Sequence, residues 1–347
     1  MKIVVDINHP SDVHLFKNFI KIMKNRGHDI LITASEKEVS LKLLNLYNLE
    51  YVNLGSYGKS LLEKLINISK LDYRMYKAIK KFNPDIFLGA GSIRASHVAY
   101  LMGKPSIQLE DTEHSKAQHL LYVPFTTKVL TSSCFKKEFG KKQIRYNGYH
   151  ELAYLHPNYF KPNPKVLCEL GLNENDPYII VRFVSWDASH DVGQSGINNK
   201  KELVKILDQY GRVLITSEAK LDIELEKYKL KVSPEKLHDL LYYATLYIGE
   251  GATTASECAV LGTHAVYINT LRLGYTDEEE EKYSLVYNFS NPISMEKNAF
   301  GKSIELLKNP NLREEGKRKR DKLLKDKIDA TQFMVQFIEQ YKCEQYK

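Results

Sequence analysis

Cysteine is scarce in this chain and tryptophan almost absent. Four cysteines (Cys134, Cys168, Cys258 and Cys343) are scattered over 347 residues. They show no CxxC or Cys/His spacing, which excludes a disulfide framework and a cysteine-based zinc site and leaves thiols that are reduced and structural. No apolar run approaches the roughly 18 residues that a bilayer-spanning helix needs. The first residues, MKIVVDINHP, lack the apolar stretch and small-residue cleavage site of a secretory leader, so a cytoplasmic location is expected. A strong excess of one charge is also missing: 50 Lys+Arg against 43 Asp+Glu leave a formal +7. A nucleic-acid binder would concentrate its charge further, and with one Trp among 23 Tyr and 13 Phe no aromatic RNA-binding signature stands out. No nucleic-acid partner is expected.

What is present is ordinary globular composition, 43% hydrophobic and 27% charged, in a chain longer than one core usually serves. The first half alternates strand and helix. KIVVDI (2–7), DILITAS (29–35), YVNLG (51–55), PDIFLGAGS (84–92), PSIQLE (105–110) and KVLTSS (128–133) read as strands, and Phe16, Phe19, Ile20 and Met23 recur at helical spacing before Gly27. Such buried-type apolar strands predict a parallel sheet covered on both faces. The pattern breaks at NGYHELAYLHPNYFKPNP (147–164), where the domain junction is placed. It then resumes with YIIVRFV (178–184), RVLITS (212–217), a short strand near LKVSP, LYIGEG (246–251) and HAVYIN (264–269), ending in helices over 296–308 and 311–342. The expected division is 1–155, 156–325 and a C-terminal helix, 326–347, that packs back on the first domain.

An internal repeat supports two similar halves. At a constant offset of 160, FLGAGSIRASHVAYL (87–101) and YIGEGATTASECAVL (247–261) share six identities in fifteen positions, among them Gly89/Gly249 and Gly91/Gly251. Both read as strand, Gly-x-Gly turn, helix of small residues. In open parallel sheets ligands collect beyond the carboxyl ends of strands. In the second copy, Gly249 and Gly251 allow close approach of backbone, while Ala252, Thr253 and Thr254 present amide N–H groups at a helix start, a ready anion site. Glu257, about one turn further on, is placed to accept hydrogen bonds from a sugar diol. The plainer alternative is a tight turn with a threonine cap and a solvated glutamate. Gly91 and Ser92 hold the matching positions of the first copy.

Other strand ends carry polar groups. NHPSDVH (8–14) brings His9, Asp12 and His14 to the end of the first strand, where a histidine oriented by a carboxylate takes a proton from a hydroxyl; alternatively Asp12 or Ser11 is a plain helix cap. LEDTEH (109–114) brings Glu110, Asp111 and Glu113, as sugar ligands, as a base, or as caps. RFVSWDASHD (182–191) offers Arg182 to neutralise a diphosphate and Trp186 to line a pocket, and Ser217 and Glu218 occupy the equivalent end of the next strand. His238 is expected on a helix surface. The run GKRKRDKLLKDK (316–327) reads as a solvated helix face, with an anionic-membrane contact as the alternative. KSLLEKLINISKLDYRMYKAIKK (59–81) reads as core packing, or as a helix that docks a lipid acceptor.

Gly251-Ala252-Thr253-Thr254 with Glu257 resembles the nucleotide-binding element of GT-B sugar-nucleotide enzymes. GAGSIRASHVAYLMGKPSIQLEDTE (89–113) is similar to a stretch of the lipid-linked N-acetylglucosaminyltransferases of peptidoglycan synthesis and of the UDP-N-acetylglucosamine 2-epimerases. DINHPSDVHLFKN (6–18), KPSIQLEDTEH (104–114), NGYHELAYLHP (147–157) and EGATTASECAVLGT (250–263) carry a resemblance over nearly the whole chain to the GT-B-like family catalogued as domain of unknown function 354. The resemblance implies an α/β, GT-B-like fold of two Rossmann-like parallel-sheet domains facing across a cleft, with the nucleotide held mainly by the C-terminal one; by family position His238 would contact a base or ribose, the alternative to its place on a helix surface. It implies a metal-independent glycosyltransferase without a cofactor, moving sugar from a nucleotide-diphospho-sugar, a UDP-sugar above others, to a saccharide or lipid-linked acceptor of a surface polysaccharide or glycolipid. A peripheral contact with the inner face of the membrane goes with that reading. Two departures matter. NHPSDVH lacks most glycines of the transferases' first loop, and the epimerases' catalytic aspartate is absent from Gly89-Ala90-Gly91-Ser92, which tilts the reading toward transfer. A 2-epimerase, or a noncatalytic sugar-nucleotide-binding protein, is the alternative.

Overall fold

A computed structural model describes residues 1–58, 61–184, 195–217 and 220–345, with backbone alone at 61, 62, 64, 65 and 342–345. The chain divides into two compact units, Met1–Tyr154 with Ile328–Lys347, and Leu155–Lys327. Among the described residues no helix is long and apolar enough to cross a membrane.

The first unit is built on seven strands: β1 (Lys2–Ile7), β2 (Asp29–Ala34), β3 (Val52–Asn53), β4 (Ile86–Ala90), β5 (Ser106–Glu110), β6 (Lys128–Ser132) and β7 (Gln143–Tyr146). They lie in the order β3-β2-β1-β4-β5-β6-β7, and every pair is parallel. The apolar strand cores explain this: Ile3, Val4, Val5, Phe87 and Leu88 are wholly buried, as strands covered by helices on both faces must be. Leu71, Met75 and Ile79 of helix Leu61–Ile79 and Val98 of helix Ile93–Leu101 close over Val4 and Phe87. Within 59–81 the helix Leu61–Ile79 is therefore a core helix along one face, while Ile66, Tyr73 and Tyr76 on its other side are exposed.

The second unit has five strands, β8 (Tyr178–Phe183), β9 (Arg212–Ser217), β10 (Leu246–Gly249), β11 (Ala265–Ile268) and β12 (Val286–Phe289), in the order β12-β11-β10-β8-β9, again all parallel. Its core joins Ile179, Val181, Phe183, Ile248, Val266 and Ile268 to Leu203, Val204 and Leu207 of helix Lys200–Leu207.

Several elements differ from the expectation. β7 and β12 are four-residue strands of mixed polarity, too short to show alternation. The strand near LKVSP is absent: only Lys229 bridges, to Ile215. The terminal helix is two, Leu312–Asp326 and Ala330–Gln345. Asp329 restarts it, its carboxylate accepting from the Gln332 amide at 3.0 Å, and the Ile328 amide leaves the helical pattern for the Asn147 carbonyl at 2.9 Å. Phe333 of that last helix stacks on Tyr146, ring centroids 4.9 Å apart.

Candidate functional site

In each unit the loops that matter leave the carboxyl ends of the strands, and each sheet has one point where the chain reverses the direction of strand addition. That point lies between β1 and β4 in the first unit and between β8 and β10 in the second; it is where open α/β sheets hold ligands.

In the first unit, β1 runs into Asn8 and His9, and helix Pro10–Asn25 follows. His9 is the cap of that helix: its Nδ1 accepts from the Ser11 amide, while Asp12 Oδ2 accepts from the amides of His9 (3.0 Å) and Asn8 (2.8 Å). This reciprocal box meets amides that the helix start leaves unpaired. Asp12 is thus committed to backbone and does not orient His14, contrary to the pairing expected of NHPSDVH. Burial, against the two amide bonds, pushes its pKa up to about 7. His14 lies buried between two tyrosines, centroids 5.8 Å from Tyr47 and 5.4 Å from Tyr154, with Nδ1 3.3 Å from the Tyr47 hydroxyl. The His9 side chain remains 46% exposed.

The β4 turn is closed by its own chemistry. Ser92 Oγ donates to Asp6 at 2.5 Å and accepts from the Ala95 amide, capping helix Ile93–Leu101. Asp6 is also bound by Arg94, whose guanidinium reaches Ser35 and the Ile7 carbonyl as well. Ser92, Asp6 and Arg94 are all buried, so Ser92 is a sealed cap and not a ligand contact. Gly91 has φ +53°, and a Cβ there would meet Gln118 at 2.9 Å and Glu110 at 3.1 Å; glycine serves packing at this turn.

Glu110 is likewise spoken for. It accepts from the Thr112 amide (2.9 Å) and the Tyr122 hydroxyl (2.7 Å) and lies 3.2 Å from His119 Nε2, shaping the turn instead of facing substrate. Its neighbour Asp111 pairs with a residue the sequence reading passed over. His150 Nδ1 stands 2.9 Å from Asp111 Oδ2, and the Thr112 hydroxyl donates to Oδ1. Burial alone would lower the His150 pKa, but the bonded Asp111 and nearby Glu151 and Glu110 push it up to about 9. Burial opposes Asp111's ionisation, yet His150 and the two bonds hold it below the usual carboxylate range. Among the described residues His150 Nε2 is buried and has no hydrogen-bond partner. His150 follows β7, so it arrives at the same sheet edge as Asp111; the signal was a strand too short to see. Glu113, half-buried, accepts from the Lys136 amide at 3.2 Å.

In the second unit, Arg182 near the end of β8 lies against Gly251: a Cβ on Gly251 would come 3.1 Å from its Nε. At Gly249 an added Cβ would be hemmed in more tightly, 2.6 Å from the Tyr247 hydroxyl and 2.8 Å from the Arg182 carbonyl. Gly251 caps helix Ala252–Leu261 with no side-chain hydrogen bond, so the first-turn amides of Ala252, Thr253 and Thr254 meet no cap side chain. Thr253 is half-buried and Thr254 buried, leaving Thr253 as the more open of the two hydroxyls. Glu250, overlooked in the sequence, is buried and accepts from the amides of Val184 (2.9 Å) and Ile197 (2.7 Å), bracing both flanks of 185–194. Glu257 is buried and bonded to His238 Nε2 at 2.9 Å. His238 is itself buried, not on the helix surface, because it turns inward to meet that carboxylate. Ser217 ends β9 beside Phe183. Trp186 and the rest of its loop, and Glu218, lie outside the described residues.

Two parallel-sheet α/β units of this topology are GT-B-like. The family described as "Protein of unknown function (DUF354)" matches residues 1–279, and the chain belongs to it. Uncharacterized protein MJ0665 of Methanocaldococcus jannaschii is 26% identical over 275 residues, 76% of this chain and 80% of that one. A UDP-N-acetylglucosamine--N-acetylmuramyl-(pentapeptide) pyrophosphoryl-undecaprenol N-acetylglucosamine transferase of Pediococcus pentosaceus is 23% identical over 294 residues, 78% of each chain. The structure of UDP-GlcNAc 2-epimerase from Neisseria meningitidis bound to UDP-GlcNAc superposes with a TM-score of 0.71 at 14% identity, covering 98% of this chain and 100% of that one.

Proposed function

We propose that this chain is a glycosyltransferase that moves a sugar from a nucleotide-diphospho-sugar, a UDP-sugar above others, to a hydroxyl acceptor of a surface polysaccharide or glycolipid. The observation that carries it is the uncapped amide cluster at the start of helix Ala252–Leu261, at the reversal point of its sheet, with Arg182 packed beside it. Anionic phosphate is what such amides, the helix dipole and a guanidinium attract. As the acceptor oxygen bonds to the sugar's anomeric carbon, the bond to the diphosphate breaks and its electron pair leaves with the nucleotide; the same amides and Arg182 stabilise that charge. Asp111, ion-paired with His150, is the acid–base group of the first unit, with His9 and Glu113 near the same sheet edge; it takes the acceptor's proton. The transferase name of the 23%-identical relative supports this reading.

A thermal-shift screen against UDP-, GDP-, CDP- and dTDP-sugars tests it, because a ligand that binds the native state raises the apparent Tm. A rise with UDP-sugars is expected; no rise with any sugar nucleotide rejects the reading. Conversion of the donor with no acceptor added would instead support an epimerase, a reading favoured only by the fold it shares with those enzymes.

A peripheral membrane contact fits an exposed patch on the first unit. Tyr73, Tyr76, Tyr100, Leu101, Leu120 and Phe125 are exposed. Tyr100 packs edge-on to Phe125 (5.4 Å), as does His97 (4.6 Å), which bonds Asp72 and the Leu121 carbonyl. Lys77 and Lys116 are exposed on the same helices, and exposed Lys80 directly follows the first of them. Aromatic and aliphatic groups beside lysines suit an anionic lipid surface. Sedimentation with vesicles containing phosphatidylglycerol is expected, and Leu101→Ser with Leu120→Ser to reduce it; equal sedimentation with neutral vesicles, or none, removes this part.

A further inference from the structure

Helix Ala252–Leu261 buries one carboxylate, Glu257, and that carboxylate is held by a histidine from another helix. His238 Nε2 lies 2.9 Å from Glu257 Oε1, with the two side chains 4% and 7% exposed, and the Phe160 ring stands edge-on to the imidazole at 6.4 Å. A carboxylate only accepts when ionised, so Nε2 carries the hydrogen in this bond. Other buried acids of this unit are held differently: Glu250 by two backbone amides, Glu278 by the Lys327 ammonium, Glu279 by the Ser256 hydroxyl. Those partners brace backbone or join helices. A buried polar pair adds little net stability compared with apolar residues of the same size, so stability alone gives no reason for a His–Glu pair here.

Its place on the helix supplies a reason. Thr253 and Glu257 are four residues apart and therefore on one face, separated by about 6 Å along the axis. A phosphate seated on the first-turn amides would thus have Glu257 one turn away, comparable with the reach from a 5′-phosphate to the ribose hydroxyls. A glutamate with three rotatable bonds is a poor receptor for a diol unless something stops its rotation, and that ordering is otherwise charged to the ligand. The His238 bond to Oε1 restrains that rotation, and a carboxylate has about four lone-pair sites.

We propose that His238 is a positioning residue that fixes the Glu257 carboxylate to receive the ribose diol of a bound nucleotide. The inference rests on the sugar-nucleotide reading above. It makes His238 matter only through the ribose hydroxyls, and ligands that lack them expose the difference.

The test is calorimetric titration of the full chain with UDP and with 2′,3′-dideoxy-UDP, on the wild type, His238→Phe, His238→Gln, Glu257→Gln and the double variant His238→Phe/Glu257→Gln. Phenylalanine keeps the volume without the donor, and glutamine restores an N–H. H238F is expected to weaken UDP about tenfold, the scale of a lost hydrogen bond to a charged group, and to leave dideoxy-UDP unchanged. H238Q is expected to recover most of the loss, and the double variant to bind UDP no more weakly than E257Q. Thermal unfolding identifies any variant that does not fold; if H238F fails, H238Q against E257Q with the two nucleotides carries the same comparison. Equal weakening of both nucleotides by H238F, or additive losses in the double variant, overturns the positioning role while leaving the nucleotide site intact. Failure of the folded wild type to bind UDP at all overturns the sugar-nucleotide reading and this inference with it.

Discussion

The two copies of the repeat begin their helices in opposite ways. In the first unit, Ser92 caps its own helix, Gly91 adopts φ +53°, and Arg94 fills the space behind the turn with a guanidinium bonded to Asp6, Ser35 and the Ile7 carbonyl. In the second, the helix starts one residue earlier, at Ala252, and Gly251 caps it without a side chain. Where Ser92 stands in the first copy, Ala252 stands in the second; where Arg94 stands, Thr254. One strand–turn–helix skeleton therefore yields a closed end and an open one, and the difference is whether a hydroxyl already occupies the amides. A helix start with its own cap has little left to offer an anion.

The largest expected effect comes from unlocking the closed end. Arg94→Met leaves Asp6 buried without its partner, which typically costs about 3–5 kcal/mol. Urea unfolding should show this loss, and Asp6→Leu with Arg94→Met should recover most of it. A loss below the experimental scatter would mean that Arg94 is not what seals this edge.

Next in size is the ion pair at the neighbouring strand ends. The His150 pKa is raised in the folded state to about 9. Its contribution is therefore complete below the unfolded histidine value near 6.5 and is lost as pH rises through about 9. Asp111→Asn is expected to cost about 2 kcal/mol at pH 6 and distinctly less at pH 10, and to bring the His150 titration, followed by NMR, back toward the ordinary histidine range. An unchanged titration midpoint would break the pair as described.

The smallest effect bears most directly on the comparison. Gly251→Ser gives the open helix the cap that the closed one has. It should stabilise the helix by up to about 1 kcal/mol, less whatever the new Cβ at 3.1 Å from Arg182 Nε takes away. UDP affinity should fall about tenfold, because the serine hydroxyl competes for the same amides. Calorimetry that finds UDP binding unaltered would show that the amides are not the phosphate site.

Apolar strand runs such as KIVVDI and YIIVRFV announced parallel, doubly covered sheets, because a strand buried on both faces has no room for alternation. β7 and β12 escaped notice since four residues of mixed polarity are too few for a period, and with β7 went His150. The continuous helix expected over 311–342 missed the break at 327–329, which exists because the Ile328 amide finds a distant carbonyl, Asn147. Of the polar residues at strand ends, sequence reading could say that they gather at one sheet edge; it could not say which were already spent. Asp12, Ser92 and Glu110 are occupied by backbone amides and buried partners, while Asp111 found a partner 39 positions away. His238 was misjudged for the same reason, since what makes it interior is a carboxylate on another helix.

By itself the order of residues determined two α/β units, the glycine turns and the placing of polar side chains beyond the strands, since these follow from periodicity and from the conformational limits of single residues. The tertiary structure alone decided how each polar group is employed. Hydrogen-bond partners are chosen by proximity in space, and a carboxylate or imidazole in a low-dielectric interior takes its charge and orientation from neighbours that the linear sequence does not place beside it.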